Sequence, residues 1–263
     1  MDAHKFFLDR FSDLYVHSPY LYIWRAAEAA AISKLIEKKH LSGNRILDMG
    51  CGDGVFSSVL FDKIFTGSDL SYPSLRKAAS SGLYINNIQA DATNLPFKNE
   101  SFDMCFSNCV FEHILNDNRA FSETSRVLQR NSYLLITIAN DDFVSMLPGY
   151  SFLKKFFPAF WRVLTKRIDR SLVHYHYYNI SSLGKYLKEL DLELIDCEPY
   201  LTLRPFRMFI ILRTIEFKLR SMRLYKFHLI LSKIFRNMIK SFSVSSSDHL
   251  GKHSGLAILC KKV

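Results

Sequence analysis

The run Ile46-Leu47-Asp48-Met49-Gly50-Cys51-Gly52-Asp53-Gly54 constrains this chain more than any other stretch. An apolar strand leads into a loop in which every second residue is glycine. Glycine lets the backbone turn tightly and lets a ligand approach the peptide groups. A helix over Val55–Phe61 would then direct free N–H groups at the loop. Such turns also occur in α/β proteins that bind nothing there, so the weight of the loop depends on its surroundings.

Those surroundings alternate between short apolar runs and helical patterns. Strands are expected at Arg45–Met49, Lys63–Ser68, Ile85–Ala90, Phe102–Ser107, Tyr133–Ala139, Leu192–Cys197 and Leu256–Cys260. Helices are expected at Tyr20–Lys39, Val55–Phe61, Ser74–Ser80, Arg119–Leu128 and Ser181–Leu190, the last capped by Ser181 or Ser182. This alternation predicts an α/β fold with a mostly parallel sheet covered by helices. The chain divides into an N-terminal helical segment (1–43), a core (44–140, 181–200 and 251–263) and two insertions (141–180 and 201–250) expected to form a helical cap.

Three further features fall at successive strand ends, on the rim where open α/β sheets bind ligands. Asp69 ends the second strand, about 20 residues beyond the first loop glycine, where an acid accepts hydrogen bonds from ribose hydroxyls. Asp91 ends the third strand and Ser107-Asn108 the fourth. Singly, each would be read as a helix cap or a loop residue. Together with the loop they mark one site.

In these residues the chain resembles the class I S-adenosylmethionine-dependent methyltransferase family, in particular its small-molecule and lipid group related to ubiquinone-biosynthesis enzymes. The resemblance rests on Leu47 to Gly54, Ser68-Asp69-Leu70-Ser71, Ala90-Asp91-Ala92, Leu95-Pro96-Phe97 with Ser101-Phe102-Asp103, and Val110-Phe111-Glu112-His113-Ile114. It implies a Rossmann-like seven-stranded sheet of order 3-2-1-4-5-7-6 with an antiparallel last strand. It also implies S-adenosylmethionine as donor and S-adenosylhomocysteine as product. Gly50, Cys51, Gly52 and Gly54 would line the methionine part, and Asp48 would order the loop and the donor's amino group. Asp69 would hold the ribose, Leu70 and Ala92 would flank the adenine, and Asp91 would accept from its amino group. Asn108 would contact the methionine end. The family's glycine-rich turn before the fifth strand is here Arg130-Asn131-Ser132, in which Asn tolerates a left-handed conformation.

Rival classes fit less well. The dinucleotide fingerprint G-x-G-x-x-G needs glycine where Val55 stands. Ser107-Asn108-Cys109-Val110 lacks the prolines of amino-methylating nucleic-acid enzymes, and Cys109 reads as a small buried side chain. An RNA or protein methyltransferase and a non-catalytic S-adenosylmethionine-binding protein remain the alternatives.

Methyl transfer needs mainly an aligned acceptor and excluded water, with a general base where the acceptor is a hydroxyl or an acidic carbon. His113, just past the fourth strand, and His176, within His174-Tyr175-His176-Tyr177-Tyr178, are the candidate bases; a surface or capping histidine is the competing reading of each. Arg25 could reach the donor's carboxylate from the N-terminal helix. The five cysteines form no CxxC pair, which predicts neither a zinc site nor a disulfide framework, and no metal site is expected.

The formal charge of +10 is concentrated. Residues 201–240 carry ten Lys or Arg and one acid, Glu216, interleaved with large aliphatics. That pattern suits a lid over the acceptor or an anionic membrane surface better than nucleic acid. With no secretory signal and no membrane-spanning run, the expected location is cytoplasmic, with peripheral contact at the inner membrane surface. The expected acceptor is small or amphiphilic: a lipid, a quinone precursor or a saccharide.

Overall fold

A computed structural model describes residues 3–15, 18–222 and 251–263. Seven strands form one sheet: β1 (Ile46–Met49), β2 (Ile64–Asp69), β3 (Tyr84–Gln89), β4 (Phe102–Asn108), β5 (Leu128–Ala139), β6 (Leu192–Thr202) and β7 (His253–Lys262). Their order is 3-2-1-4-5-7-6, with β1 to β5 parallel and β7 antiparallel to both β5 and β6. This is the expected topology.

Side chains alternate across the sheet with period two. Ile46, Met104, Phe106, Leu135 and Leu259 belong to the core built with α1 (Ala3–Leu14), α2 (Pro19–Lys39) and α3 (Tyr72–Ser80). Leu47, Cys105, Leu134, Ile136 and Ile258 belong to the core on the other face, under α4 (Asp117–Val127) and α8 (Ile180–Glu189). Both faces are covered, so the central strands read as nearly continuous apolar runs.

Between β5 and α8 lie α5 (Asp142–Ser145), α6 (Tyr150–Phe156) and α7 (Pro158–Leu172). After β6 the chain enters α9 (Leu203–Ser221). Phe206, Phe209 and Leu212 are buried, with the Phe209 ring 5.6 Å from Tyr20 and 5.0 Å from Trp24. The described part of the basic stretch therefore commits Phe206, Phe209 and Leu212 to the core, whereas Ile211 and Phe217 are exposed. The stripe Phe227 to Met238 and the serine-rich 241–247 lie outside the described residues.

Several local expectations differ from the structure. Val55–Phe61 is not an α-helix; only a 3₁₀ turn, Ser57–Val59, forms there. Gly54 enters it at φ 77°, and the Ser57 hydroxyl is bound to Asp48. β5 starts at Leu128, inside the expected helix-and-turn region, and accommodates Asn131 at φ 64°. The cap of α8 is Asn179, whose side chain accepts from the Ser181 and Ser182 amides. Among the described residues no helix is long and apolar enough to cross a membrane.

Candidate active site

The glycine loop is held from beneath. The amides of Gly50 and Cys51 both donate to the Ser68 carbonyl, at 2.7 and 2.9 Å. Gly50 lies at φ 73°, and a Cβ there would strike the Val110 side chain. Gly52 lies at φ 57°, and a Cβ there would meet only open space. Asp48 is 1% exposed and accepts from Ser57 Oγ at 2.5 Å and Tyr84 OH at 2.7 Å. Burial pushes its carboxyl up to about 6, against the opposing effect of those two hydrogen bonds. Its side chain thus braces the loop rather than facing the open side.

A cleft of about 280 Å³ runs along the strand tips, lined by Gly50, Asp69, Leu70, Asp91, Ala92 and His113 among others. Asp69 accepts from the Gly52 amide at 2.8 Å and the Ser71 amide at 2.7 Å, which fixes its carboxylate at the end of β2. Asp91 Oδ1 accepts from the amide and hydroxyl of Thr93, both at 2.8 Å. Leu70 is 68% exposed beside the cleft, an apolar surface of the kind a flat heterocycle covers. The open space at Gly52, the acids on β2 and β3, and this apolar flank fit an extended ligand with an aromatic base at one end and an amino-acid moiety at the other.

At the far end of the cleft, α2 meets the tip of β4. Arg25 Nη1 donates to Asn108 Oδ1 at 2.8 Å and to Glu28 Oε2 at 2.7 Å. Its guanidinium lies 5.3 Å from the Phe56 ring centre. Glu28 is fully buried and also accepts from Trp24 Nε1 (2.7 Å), Cys109 Sγ (2.6 Å) and Tyr200 OH (3.1 Å). Burial opposes the Arg25 charge, but the Glu28 carboxylate more than restores it, raising that guanidinium's pKa. Burial and the same carboxylate push the Cys109 thiol well above its ordinary value, so it stays a thiol and is a poor nucleophile.

Comparison with known proteins matches this arrangement. Residues 47–136 match the methyltransferase-domain family. An uncharacterized protein of Methanocaldococcus jannaschii is 30% identical over 156 residues, 59% of this chain and 74% of that one. The tRNA (carboxymethyluridine(34)-5-O)-methyltransferase of Arabidopsis thaliana is 32% identical over 125 residues, covering 46% of this chain but only 30% of that protein. A solved Thermotoga maritima structure, described as a SAM-dependent methyltransferase and possible histamine N-methyltransferase, aligns over 100% of both chains with a TM-score of 0.60. At 17% identity it shows the fold. The chain belongs to the class I S-adenosylmethionine-dependent methyltransferase family.

In this chain five of the predicted cofactor residues meet in one cleft. Gly50, Asp69, Leu70, Asp91 and Ala92 line the cleft. Cys51, Gly52 and Gly54 complete the loop above Asp48, and Arg25 and Asn108 are hydrogen-bonded to each other at the end of β4. The predicted bases do not converge in the same way. His113 lines the cleft. His176 lies apart from it, with Nε2 3.2 Å from the Leu115 carbonyl and 3.7 Å from Asp117. The histidine that folding brings to His113 is His174, with ring centres 5.1 Å apart. Glu112, 1% exposed, is the carboxylate beside them.

Glu28, Glu112, Tyr200 and His174 were not singled out as site residues from the sequence. A signal existed for Glu28: a lone acid within Ala26-Ala27-Glu28-Ala29-Ala30-Ala31, on a stretch destined for burial, needs partners. Tyr200 carried none, because 172 residues separate it from Glu28.

Proposed function

We propose that this chain transfers a methyl group from S-adenosylmethionine to an amphiphilic acceptor presented at an anionic membrane surface. The observation that carries the acceptor half is the α6–α7 surface. Phe152, Phe156, Phe157 and Phe160 are each more than half exposed, and Val163 is 67% exposed. Lys154, Lys155, Arg162, Lys166, Arg167 and Arg170 surround them, all exposed, with Asp169 as the one acid on the two helices. Large rings beside cations suit the boundary between headgroups and acyl chains. Because α7 leads directly into His174 and the strand-tip region, an acceptor lifted from such a surface has a short path to His113.

S-adenosylmethionine supplies an activated methyl on a sulfonium. Asp69 and Asp91 would hold its nucleoside end, and the Gly50–Gly54 backbone its amino-acid end. Arg25, fixed by Glu28, would sit near the amino-acid carboxylate. The chain's remaining task is alignment and exclusion of water, with His113 placed to take a proton from an acceptor hydroxyl.

The test is co-sedimentation with neutral and anionic liposomes at about 0.1 M and 1 M salt, between which the Debye length contracts from about 10 Å to about 3 Å. A Phe156→Ser/Phe160→Ser variant is the control. Labelled donor is then offered with lipid, quinone-precursor and saccharide pools. Salt-sensitive binding to anionic vesicles that the variant loses supports the reading. No vesicle binding, with turnover only on soluble acceptors, overturns its membrane half. A second reading, methylation of tRNA, draws on the name of the Arabidopsis relative; transfer of label to RNA in the same screen would favour it.

A further inference from the structure

We propose that Glu112, His113 and His174 form a binding site for a first-row divalent cation such as Zn²⁺, Co²⁺ or Mn²⁺ at the acceptor end of the cleft. One carboxylate oxygen and one nitrogen from each histidine lie within 4.8 Å of one another. Bonds of about 2.0–2.2 Å to such a cation hold two ligand atoms at most about 4.4 Å apart. Small side-chain rotations therefore close the three groups around an ion.

Two of the groups each carry a buried atom with no hydrogen-bond partner. Glu112 is 1% exposed, and its Oε2 is buried without a hydrogen-bond partner. The Nδ1 of His174 is likewise buried without a partner. A glutamate oxygen and an imidazole nitrogen, each left unsatisfied within one three-residue cluster, are costly to bury. A cation satisfies both at once.

The surrounding backbone supports the same purpose. His113 Nδ1 lies 3.0 Å from the Val173 carbonyl. Donation there fixes the tautomer and leaves Nε2 as the free ligand atom, as metal-binding histidines are commonly arranged. Val173 is β-branched and sits at φ 57°, an unfavourable conformation that the fold maintains. That conformation aims the Val173 carbonyl at His113 and passes the chain on to His174. The Tyr175 amide then donates to the Glu112 carbonyl at 2.8 Å, clamping the two segments together across more than 60 residues of chain.

Two imidazoles and one carboxylate suit a borderline transition cation better than Mg²⁺ or Ca²⁺, which favour all-oxygen sets. Three protein ligands leave further coordination positions open. Because His113 also lines the cleft, those positions are accessible to an acceptor bearing a hydroxyl or carboxylate oxygen. Bound there, a hydroxyl would lose its proton more readily, and with the ion in place His113 would assist that loss as a ligand rather than as a free base. The site does not depend on which acceptor is used or on contact with a membrane.

The test is titration of the metal-free protein with Co²⁺, read by visible d–d absorption, followed by displacement with Zn²⁺ and by calorimetry with Mn²⁺. One equivalent should bind, with intensity typical of nitrogen and oxygen ligands inside the coordination shell. His174→Ala and Glu112→Gln should each weaken binding at least tenfold. His40→Asn, at the exposed end of α2, should leave it unchanged. Far-ultraviolet circular dichroism checks each fold; should either buried substitution prevent folding, exposed His113→Ala carries the comparison. Absence of a stoichiometric Co²⁺ spectrum in the wild type, or a spectrum that persists in these variants, would overturn the site.

Discussion

The thiol of Cys109 donates to the carboxylate of Glu28 at 2.6 Å, joining α2 to the residue just beyond β4 across 81 positions of sequence. Through Glu28 this contact also positions Arg25 and Tyr200. Glu28→Gln keeps the shape but places an amide among donors and removes the charge that balances Arg25. Loss of one partner from a buried pair destabilises by about 3–5 kcal/mol. Denaturant unfolding should show a loss approaching that range, and calorimetry should show weaker donor binding because Arg25 is no longer held at Asn108. A fully stable variant with unchanged affinity would mean that α2 docks independently of this contact.

Asp69→Ala tests the ribose end. The substitution removes the anchor of the Gly52 and Ser71 amides and, on the proposed donor binding, the acceptor for the ribose hydroxyls. Hydrogen bonds to a charged group contribute about 1.5–3 kcal/mol, which corresponds to roughly 10- to 150-fold weaker binding of S-adenosylmethionine and S-adenosylhomocysteine. Calorimetry on the purified variant measures it directly.

Two glycines should separate stability from binding. Gly50→Ala places a methyl against Val110 at a positive φ, so overpacking of about 1–3 kcal/mol adds to a left-handed penalty of about 1–2 kcal/mol. Gly52→Ala meets open space and incurs only the conformational penalty, but on the proposed donor binding its methyl would crowd the ligand's amino-acid end. Thermal melts should show Gly50→Ala as the less stable variant. Donor titration should show Gly52→Ala losing affinity out of proportion to its stability.

Asp48 gives a pH prediction with a definite sign. Its folded value of about 6 lies above the ordinary aspartate value of about 3.9. Folding therefore favours the protonated form, and the stability linked to this group is complete below about pH 3.9 and is lost as the pH rises through about 6. The span is about two pH units, on the order of 3 kcal/mol. Asp48→Asn should flatten this part of the profile, so the stability difference between wild type and variant should shift by that order between pH 4 and 7. Parallel profiles for the two proteins would show that Asp48 ionises in the fold as readily as in the unfolded chain.

The histidines are separable by turnover. His113→Ala should lower the rate by roughly 10²-fold if it takes the acceptor's proton, with donor affinity nearly unchanged. His176→Ala should have a much smaller effect, because its ring is occupied with Leu115 and Asp117 outside the cleft. Equal losses in both variants would place the acceptor nearer to His176 than the cleft lining implies.

The strand-tip half of this site could be read in the sequence because its chemistry is local. Asp48 to Gly54 occupies one loop, and Asp69 and Asp91 each end a strand whose periodicity announces it. The helix-to-strand boundary at Leu128 is hidden because Arg130-Asn131-Ser132 has turn chemistry, whereas in the structure it is an irregularity within β5, with pairing to β4 resuming at Tyr133. The helix expected after Gly54 shrank to one turn because Ser57 is committed to a buried carboxylate. The acceptor half was illegible for a different reason. Glu112 and His174 become neighbours only when the segment after α7 folds back along the turn after β4, so two motifs visible separately in the sequence do not announce their pairing. A histidine cluster read alone pointed to His176, whereas the cleft-side neighbour is two residues earlier.

The placement of β7 bears on the order in which a nascent chain can become organised. Residues 253–262 lie between β5 and β6, pairing with both, while among the described residues β6 has no other strand beside it. During synthesis β1 to β5 can assemble as soon as they emerge, but α8 and β6 must wait for a strand made more than 50 residues later. Until then β5 presents an open apolar edge, a hazard for pairing between molecules. Translation speed across 203–252 therefore sets how long that edge stays uncovered.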